Sequence, residues 1–299
     1  MLEIRNLTKT FGDFKALDDL SMTVPKGTVY GLVGPNGAGK STAIRCMVGV
    51  YRPDSGSVTM NGEFVYENPD LMARIGYIPD EIFYFPAATL EEMRRFYKGI
   101  YPDFDDNLFE RLYEIFSLPR KTPIRRFSKG MQKQAAFHLT ICCRPDVLIL
   151  DEPVDGLDPV MRRQVWILMM ADVAEHGTTV LVSSHNLREL EDVCDHVGIM
   201  NKGKILLERS LSDLQENIVK MQVVWPTAEI PDLSGELTVL HTSQVGRVYT
   251  YIIRGNAAEL TARMAAYKPL MAEALPLSLE EIFIYELGGE DYAVKDIIL

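Results

Sequence analysis

The amino-acid sequence predicts an α/β chain: a largely parallel sheet flanked by helices, followed by a small α+β appendage. Three observations carry that expectation. Up to about residue 215, short apolar runs alternate with segments of helical spacing, the order that builds a parallel sheet. A glycine-rich stretch, "GPNGAGKST" (34–42), sits between one such run and one such segment. Near residue 218 the pattern changes to β-rich runs among short helical stretches.

Taken in order, residues 2–33 alternate apolar and polar, with turn signals at Gly12-Asp13 and Pro25-Lys26-Gly27, which predicts short strands. The run "VYGLVG" (29–34) leads into the glycine loop, and "STAIRCMVGV" after it has helical spacing. "GSVTMNGEFV" (56–65) predicts a hairpin turning at Asn61-Gly62. From about Thr89 to Cys143 the pattern is helical, with breaks near Pro102 and between Pro119 and Ser128. "VLILD" (147–151) reads as a strand, followed by a helix over 159–175, a strand over 178–184 and a helix over 186–194. A strand pair around Lys202-Gly203 closes a first domain of residues 1–215. Residues 216–299 form the second, α+β domain, with strands in "IVKMQVVW" and "RVYTYIIR" and helices over 256–266 and 278–287. The last ten residues, "EDYAVKDIIL", read as a tail or a docked strand.

Composition narrows the function classes. The formal net charge is -11 and basic residues do not cluster, apart from the short "RKTPIRR" (120–126), so no nucleic-acid partner is expected. Cys46, Cys142, Cys143 and Cys194 show no metal or redox spacing and are expected to be reduced, partly buried thiols of a cytosolic protein. The N-terminal "MLEIRNLTKTFG" has no apolar leader, and no run approaches the ~18 apolar residues of a membrane span.

The pattern G-x-x-x-x-G-K-[ST] is met by Gly34, Gly39, Lys40 and Ser41. Glycines let the backbone turn successive N–H groups toward one anion, and the following helix N-terminus adds partial positive charge. Lys40 reaches the β- and γ-phosphates as a mobile point charge, and the Ser41 hydroxyl joins the shell of a Mg²⁺ ion. The stretch Gly34, Pro35, Asn36, Gly37, Ala38, Gly39, Lys40, Ser41 and Thr42 is therefore the expected cradle of a nucleoside triphosphate. Such a cradle needs a partner that holds Mg²⁺ and one that handles water. "VLILDEP" delivers Asp151 and Glu152 at the C-terminal edge of a strand, where ligands bind in open α/β sheets. Asp151 is the expected Mg²⁺ ligand, and Glu152 the general base that deprotonates the attacking water.

The order "GPNGAGKST", "FSKGMQ", "ILDEP", "GLDP", "SSH" resembles the ATP-binding subunit of ABC transporters over residues 1–215. The resemblance implies a P-loop NTPase fold of the ABC ATPase type: a parallel core sheet, an antiparallel β subdomain and a helical subdomain at about 89–143. It implies ATP as the nucleotide and a sandwich dimer, in which each ATP lies between the phosphate loop of one subunit and the "FSKGMQ" segment of the other. Ser128 then offers a hydroxyl, and Gly130 a close backbone approach, to the partner's γ-phosphate. By the same resemblance Phe11 stacks on adenine, His185 is the switch histidine near the γ-phosphate, and Asp158 lies in the loop that crosses the dimer.

Two positions depart from the family pattern. Asp80, in "IGYIPDEIFYFP", stands where the usual glutamine would be; a carboxylate there can bind Mg²⁺ directly or through water but donates no hydrogen bond. Lys129 replaces the first glycine of the usual pair, and either faces the partner's ATP or points to solvent; Met131 replaces a glutamine. These departures, with "SLEEIFIYEL" (278–287), resemble a bacterial exporter subgroup whose ATPase and permease are separate chains. The resemblance then implies a membrane permease partner, a second ATPase subunit in a homodimer or heterodimer, and a place at the cytoplasmic face of the membrane. Export of peptides, antimicrobial compounds or lipids is the expectation, and Ile82-Phe83-Tyr84-Phe85 is either the run that meets the permease or part of the buried core. The alternative is an ABC-superfamily ATPase acting on DNA or ribosomes without a permease.

Overall fold

The computed structural model describes residues 1–227, 230–231, 233, 237–275 and 277–287. The chain divides into two compact units, and the first comprises residues 1–185 and 193–208. It opens with a hairpin, β1 (Leu2–Phe11) and β2 (Phe14–Val24), closed where Gly12 takes a φ of 59°. After β3 (Val29–Val33) come the glycine loop and helix α1 (Lys40–Met47). β4 (Ser55–Met60) and β5 (Glu63–Phe64) then turn at Asn61 and Gly62, whose φ values of 53° and 90° are those the Asn-Gly pair was expected to supply. Helix α2 (Pro69–Met72) leads to β6 (Ile75–Ile78). The helical region holds α3 (Leu90–Ile100), α4 (Asp106–Phe116) and α5 (Lys129–Ile141). β7 (Val147–Asp151), α6 (Pro159–His176), β8 (Thr179–Ser184), β9 (His196–Asn201) and β10 (Lys204–Ser210) follow.

Two sheets result. One is antiparallel, in the order β2-β1-β4-β5; the other runs β10-β9-β3-β8-β7-β6 and is parallel from β9 through β6. Strands β3, β7 and β8 are buried along their whole length, which explains why their apolar residues run together rather than alternate with polar ones. Helix α1 packs into the core that joins the sheets: Ala43, Ile44 and Met47 share one buried cluster with Ile4 and Met22 of the antiparallel sheet and with Leu32 and Ile149 of the parallel one. Each fully buried Ile, Leu or Met among them is worth about 1.5–3 kcal/mol. The helix that follows the glycine loop is thus fixed from both sides.

In the helical region, α3 starts with a capping box in which Thr89 and Glu92 satisfy each other's backbone N–H groups. Helix α4 is capped by Asp105, whose carboxylate also pairs with Arg144 at 2.6 Å. Between α4 and α5 lies His138, fully buried, with its ring 4.3 Å from that of Phe109 and its Nε2 2.8 Å from the Phe109 carbonyl oxygen. Burial drives its pKa down to about 4. All four cysteines are buried, and burial raises each thiol's pKa: Cys46 to about 11, Cys143 to about 12, Cys142 and Cys194 further.

The second unit comprises residues 186–192 and the described residues from 209 onward. Its elements are α7 (Leu211–Asn217), β11 (Ile218–Val224), β12 (Thr238–Val245), β13 (Val248–Arg254), α8 (Ala257–Ala266), β14 (Met271–Leu275) and α9 (Leu279–Leu287). Strands pair antiparallel in the order β12-β13-β11-β14 over a core that includes Met221, Val223, Ile253 and Met264. The sequence reading found the two central strands and missed both edges. Edge strands bury less, so the polar end of β12, "HTSQV" (241–245), and the Ala- and Glu-bearing β14 carry no strand pattern. The helix expected over 186–194 is one 3₁₀ turn at Leu187–Glu189. There the Asn186 side chain takes the Arg188 N–H, Arg188 pairs with Glu280 at 2.8 Å, and the Glu191 carboxylate takes the Leu279 N–H. The final "EDYAVKDIIL" lies outside the described residues.

His138 makes the stability of the first unit acid-sensitive. Its folded pKa lies below the unfolded value, so the neutral form is favoured in the fold; that contribution is complete above pH 6.5 and is lost as pH falls toward 4. The full loss is about 3 kcal/mol. Urea unfolding of the parent and of His138→Leu between pH 7 and 4 should show the steeper decline in the parent; parallel curves would refute the assignment.

Candidate functional site

Strand register assembles the site. In the order β3-β8-β7, Val33 lies opposite Ser184, and Asp151 opposite Ser183. The next residues along the chain, Gly34, Glu152 and His185, therefore emerge side by side at the C-terminal edge of the sheet. Segments 118 and 33 residues apart in sequence become neighbours because parallel strands share one direction.

The glycine loop has little room for side chains. A Cβ on Gly34 would stand 2.2 Å from the Met200 carbonyl oxygen, and one on Gly39 2.7 Å from that of Ala16. Gly37 and Gly39 take φ values of 83° and 106°, conformations that favour glycine. Ala38 is buried and holds the loop through its carbonyl, which accepts from the Gly203 N–H at 2.8 Å. Lys40 is buried, and its Nζ donates to the Gly34 carbonyl at 2.6 Å and lies 3.5 Å from Glu152 Oε1. Ser41 and Thr42 follow Lys40 in the first turn of α1.

Asp151 is buried at the end of β7, where its Oδ1 accepts from Ser183 Oγ at 2.5 Å. Its charge also helps raise the pKa of Tyr77, after burial, which is the larger cause. Glu152 takes a φ of 49°, in the left-handed region that a non-glycine residue adopts only when held. It is held on every side. Its N–H donates to the Ser183 oxygens, Oγ at 3.1 Å and the carbonyl at 3.3 Å. Its own carbonyl accepts from Lys133 Nζ at 2.7 Å, and its Oε2 lies 2.9 Å from Nδ1 of His185. The carboxylate of Glu152 is thus flanked by an ammonium on one oxygen and an imidazole on the other.

Other expected residues lie apart from this centre. Ser128 caps α5, its hydroxyl accepting the Met131 N–H at 3.2 Å, and Lys129 is exposed beside it. A Cβ on Gly130 would meet Leu157 at 3.3 Å, so the start of α5 packs closely on the loop after β7. Among the described residues, no hydrogen bond or ion pair joins Ser128, Lys129 or Gly130 to residues 34–42 of the same chain. Asp158 caps α6, accepting from the Val160 and Met161 N–H groups at 3.0 Å each. Phe11 ends β1 with 45% of its surface exposed, edge-on to Tyr51 at 5.5 Å and with Lys9 Nζ 5.6 Å from its ring centre. Asp80 follows β6, half exposed, and pairs with Lys133 at 3.2 Å.

Sequence reasoning missed Ser183, Lys133 and Tyr51. A serine within a strand, a lysine within a helix and a tyrosine in a loop carry no local pattern. Strand pairing and helix packing bring each to its partner. Of the run Ile82–Phe85, Phe83 and Phe85 are exposed by 83% and 57% while Tyr84 is buried, so the run is divided between surface and core.

Comparison with known proteins identifies the family. A family model described as "ABC transporter" matches residues 17–155. The ABC transporter ATP-binding protein YtrB of Bacillus subtilis is 31% identical over 290 residues, covering 97% of this chain and 99% of that protein. The bacitracin transport ATP-binding protein BcrA of Bacillus licheniformis is 30% identical, with 97% and 98% covered. Among solved structures, an ATP-binding subunit of an ABC transporter superposes with a TM-score of 0.67 at 29% identity, covering 72% of this chain and 92% of that one. A bacterial ABC transporter cassette solved as a dimer shares the fold, with a TM-score of 0.64 at 20% identity over 71% of this chain and 99% of its own. Relatives of nearly equal length at this identity place the chain in the family of ABC transporter ATP-binding proteins, cassettes that hydrolyse ATP to power transport.

Proposed function

We propose that this chain is the ATP-hydrolysing subunit of an ABC exporter whose membrane permease is a separate chain, and that it works as a dimer. The observation that carries the catalytic part is the Glu152 carboxylate, held between Lys40 Nζ and His185 Nδ1 at the mouth of the phosphate loop.

In this reading the triphosphate occupies the loop from Gly34 to Thr42, with adenine against Phe11. Lys40 exchanges its contacts with Gly34 and Glu152 for the β- and γ-phosphates, since a phosphate carries more charge than either. That exchange frees one Glu152 oxygen to take a proton from water, while His185 holds the other oxygen in place. The water oxygen bonds to the γ-phosphorus, the bridging bond to the β-phosphate breaks, and the proton rests on Glu152. Ser41 and Asp151 fit Mg²⁺: one hydroxyl and one buried carboxylate beside a phosphate cradle are how this ion is usually bound, with water and phosphate completing its shell. When bound, the ion neutralises charge that develops on the phosphate oxygens.

Ser128, Lys129 and Gly130 serve the γ-phosphate of a second subunit, and Asp158 lies on the segment facing it. ATP held by two subunits binds the closed dimer better than the open one, and that difference in affinity drives closure. The relative named for bacitracin transport is matched over almost the whole of this chain and of its own length, which supports export through a separate permease. No helix among the described residues is long and apolar enough to cross a membrane. Phe83, Phe85 and Phe96 form the docking surface for that permease: all are exposed, Phe85 and Phe96 meet edge-on at 6.0 Å, and Phe83 and Phe85 follow Asp80 closely in sequence. Peptides, antimicrobial compounds or lipids are the proposed cargo class.

Glu152→Gln tests the catalytic reading. It should bind ATP with parental affinity, lose at least about 100-fold in turnover and accumulate an ATP-dependent dimer on size exclusion. Turnover within a few-fold of the parent would remove Glu152 as the base. Docking is tested by co-expression with the neighbouring permease gene: the parent should copurify with membranes, and Phe83→Asp/Phe85→Asp should not, although it still binds ATP. Equal membrane recovery would dismiss the surface.

A further inference from the structure

The Asp80 carboxylate poses a problem, because a carboxylate at that position would add negative charge to the site proposed for a triphosphate. Lys133 resolves it. The Lys133 side chain is 9% exposed, and its Nζ makes two contacts: 3.2 Å to Asp80 Oδ1 and 2.7 Å to the Glu152 carbonyl oxygen. An ammonium this buried needs an anion, since an uncompensated charge away from water is strongly unfavourable. Asp80, 51% exposed, can retain water on its outer oxygen while neutralising Lys133 with the inner one. Both residues line a groove of about 430 Å³, together with Lys129 and Asp155.

The second contact reaches the reaction. Glu152 has left-handed backbone, and its peptide groups are fixed from two elements: Ser183 of β8 takes the N–H, and Lys133 of α5 takes the carbonyl. Loss of either allows the residue to relax toward ordinary φ, which swings the carboxylate away from His185 and Lys40. Asp80, two residues beyond β6, touches none of these groups directly in the contacts of the described residues; its path to Glu152 runs through the ammonium.

We propose that Lys133 is a positioning residue for hydrolysis: it clamps the Glu152 carbonyl, with Asp80 as its counter-ion, so that the carboxylate at position 80 acts on Glu152 through Lys133 and not through the metal. The proposal rests on the reading of Glu152 as the base, and Glu152→Gln assayed in parallel separates the two. If Glu152→Gln is inactive and the Lys133 variants are not impaired, the clamp alone fails; if Glu152→Gln turns over, the base assignment fails.

The test uses the full chain. Lys133→Met should lower kcat by about 10- to 100-fold, the effect of a misplaced catalytic group, while ATP affinity by equilibrium binding in EDTA stays within about threefold. Lys133→Arg, which keeps the charge and a donor, should recover to within about threefold of the parent. Asp80→Asn should lower kcat less and leave the Mg²⁺ half-saturation of turnover unchanged. Because both residues act through one contact, Asp80→Asn/Lys133→Met should be no slower than Lys133→Met within about twofold. Parental kcat in Lys133→Met, an Arg variant as impaired as the Met variant, or multiplying effects in the double variant would each overturn the proposal. If Lys133→Met does not fold, Asp80→Asn decides: full activity, or a several-fold higher Mg²⁺ requirement, overturns it.

Discussion

The peptide of Glu152 is the joint on which the rest of the site depends. Its φ of 49° aims the side chain of a strand-end residue across the mouth of the phosphate loop, where extended backbone would carry it past. Such a conformation costs on the order of 1–3 kcal/mol and persists only where the surroundings fix it. Here β8 supplies Ser183 and α5 supplies Lys133, one for each backbone group. The carboxylate then spans Lys40 and His185, so four segments distant in sequence meet at one residue.

Rigidity comes from below. Helix α1 is packed between two sheets, which fixes the loop that precedes it, and Gly34 and Gly39 lie so close to neighbouring carbonyls that no side chain fits. The buried Ser183–Asp151 contact satisfies a carboxylate that would otherwise be costly in a nearly dry interior. Buried thiols with raised pKa values add no chemistry of their own; burial keeps them protonated. The reactive groups therefore stand on a frame with little freedom to reorganise, which is what electrostatic catalysis requires.

Helix α5 has two ends of different use. Its capped start, with Ser128 and Gly130, makes no bond to the phosphate loop of its own chain, while one turn further on Lys133 grips Glu152 of that chain. In the proposed dimer one rigid helix therefore addresses both a partner's phosphate and its own base. The start of the helix sits close against Leu157 in the loop after β7. His138, buried against Phe109, ties the far half of the same helix to α4.

Much was written locally. The glycine loop, the Asn61-Gly62 turn, the buried strand ending in Asp151 and Glu152, and the α/β order with its parallel sheet all follow from short-range pattern, because each depends on backbone conformation or on burial along a single element. The sequence reading missed β12 and β14, which lie at sheet edges and have no alternating pattern, and it overextended the single turn at 187–189. Local order also left the chemistry of Asp80 and the exposure of Ile82–Phe85 open. Those were decided by tertiary structure alone: register sets Ser183 beside Asp151, helix packing brings Lys133 53 residues along the chain to Asp80, and the turn after β6 sends Phe83 outward and Tyr84 inward. A residue type announces its chemistry, but a partner far along the chain is chosen only when the elements pack.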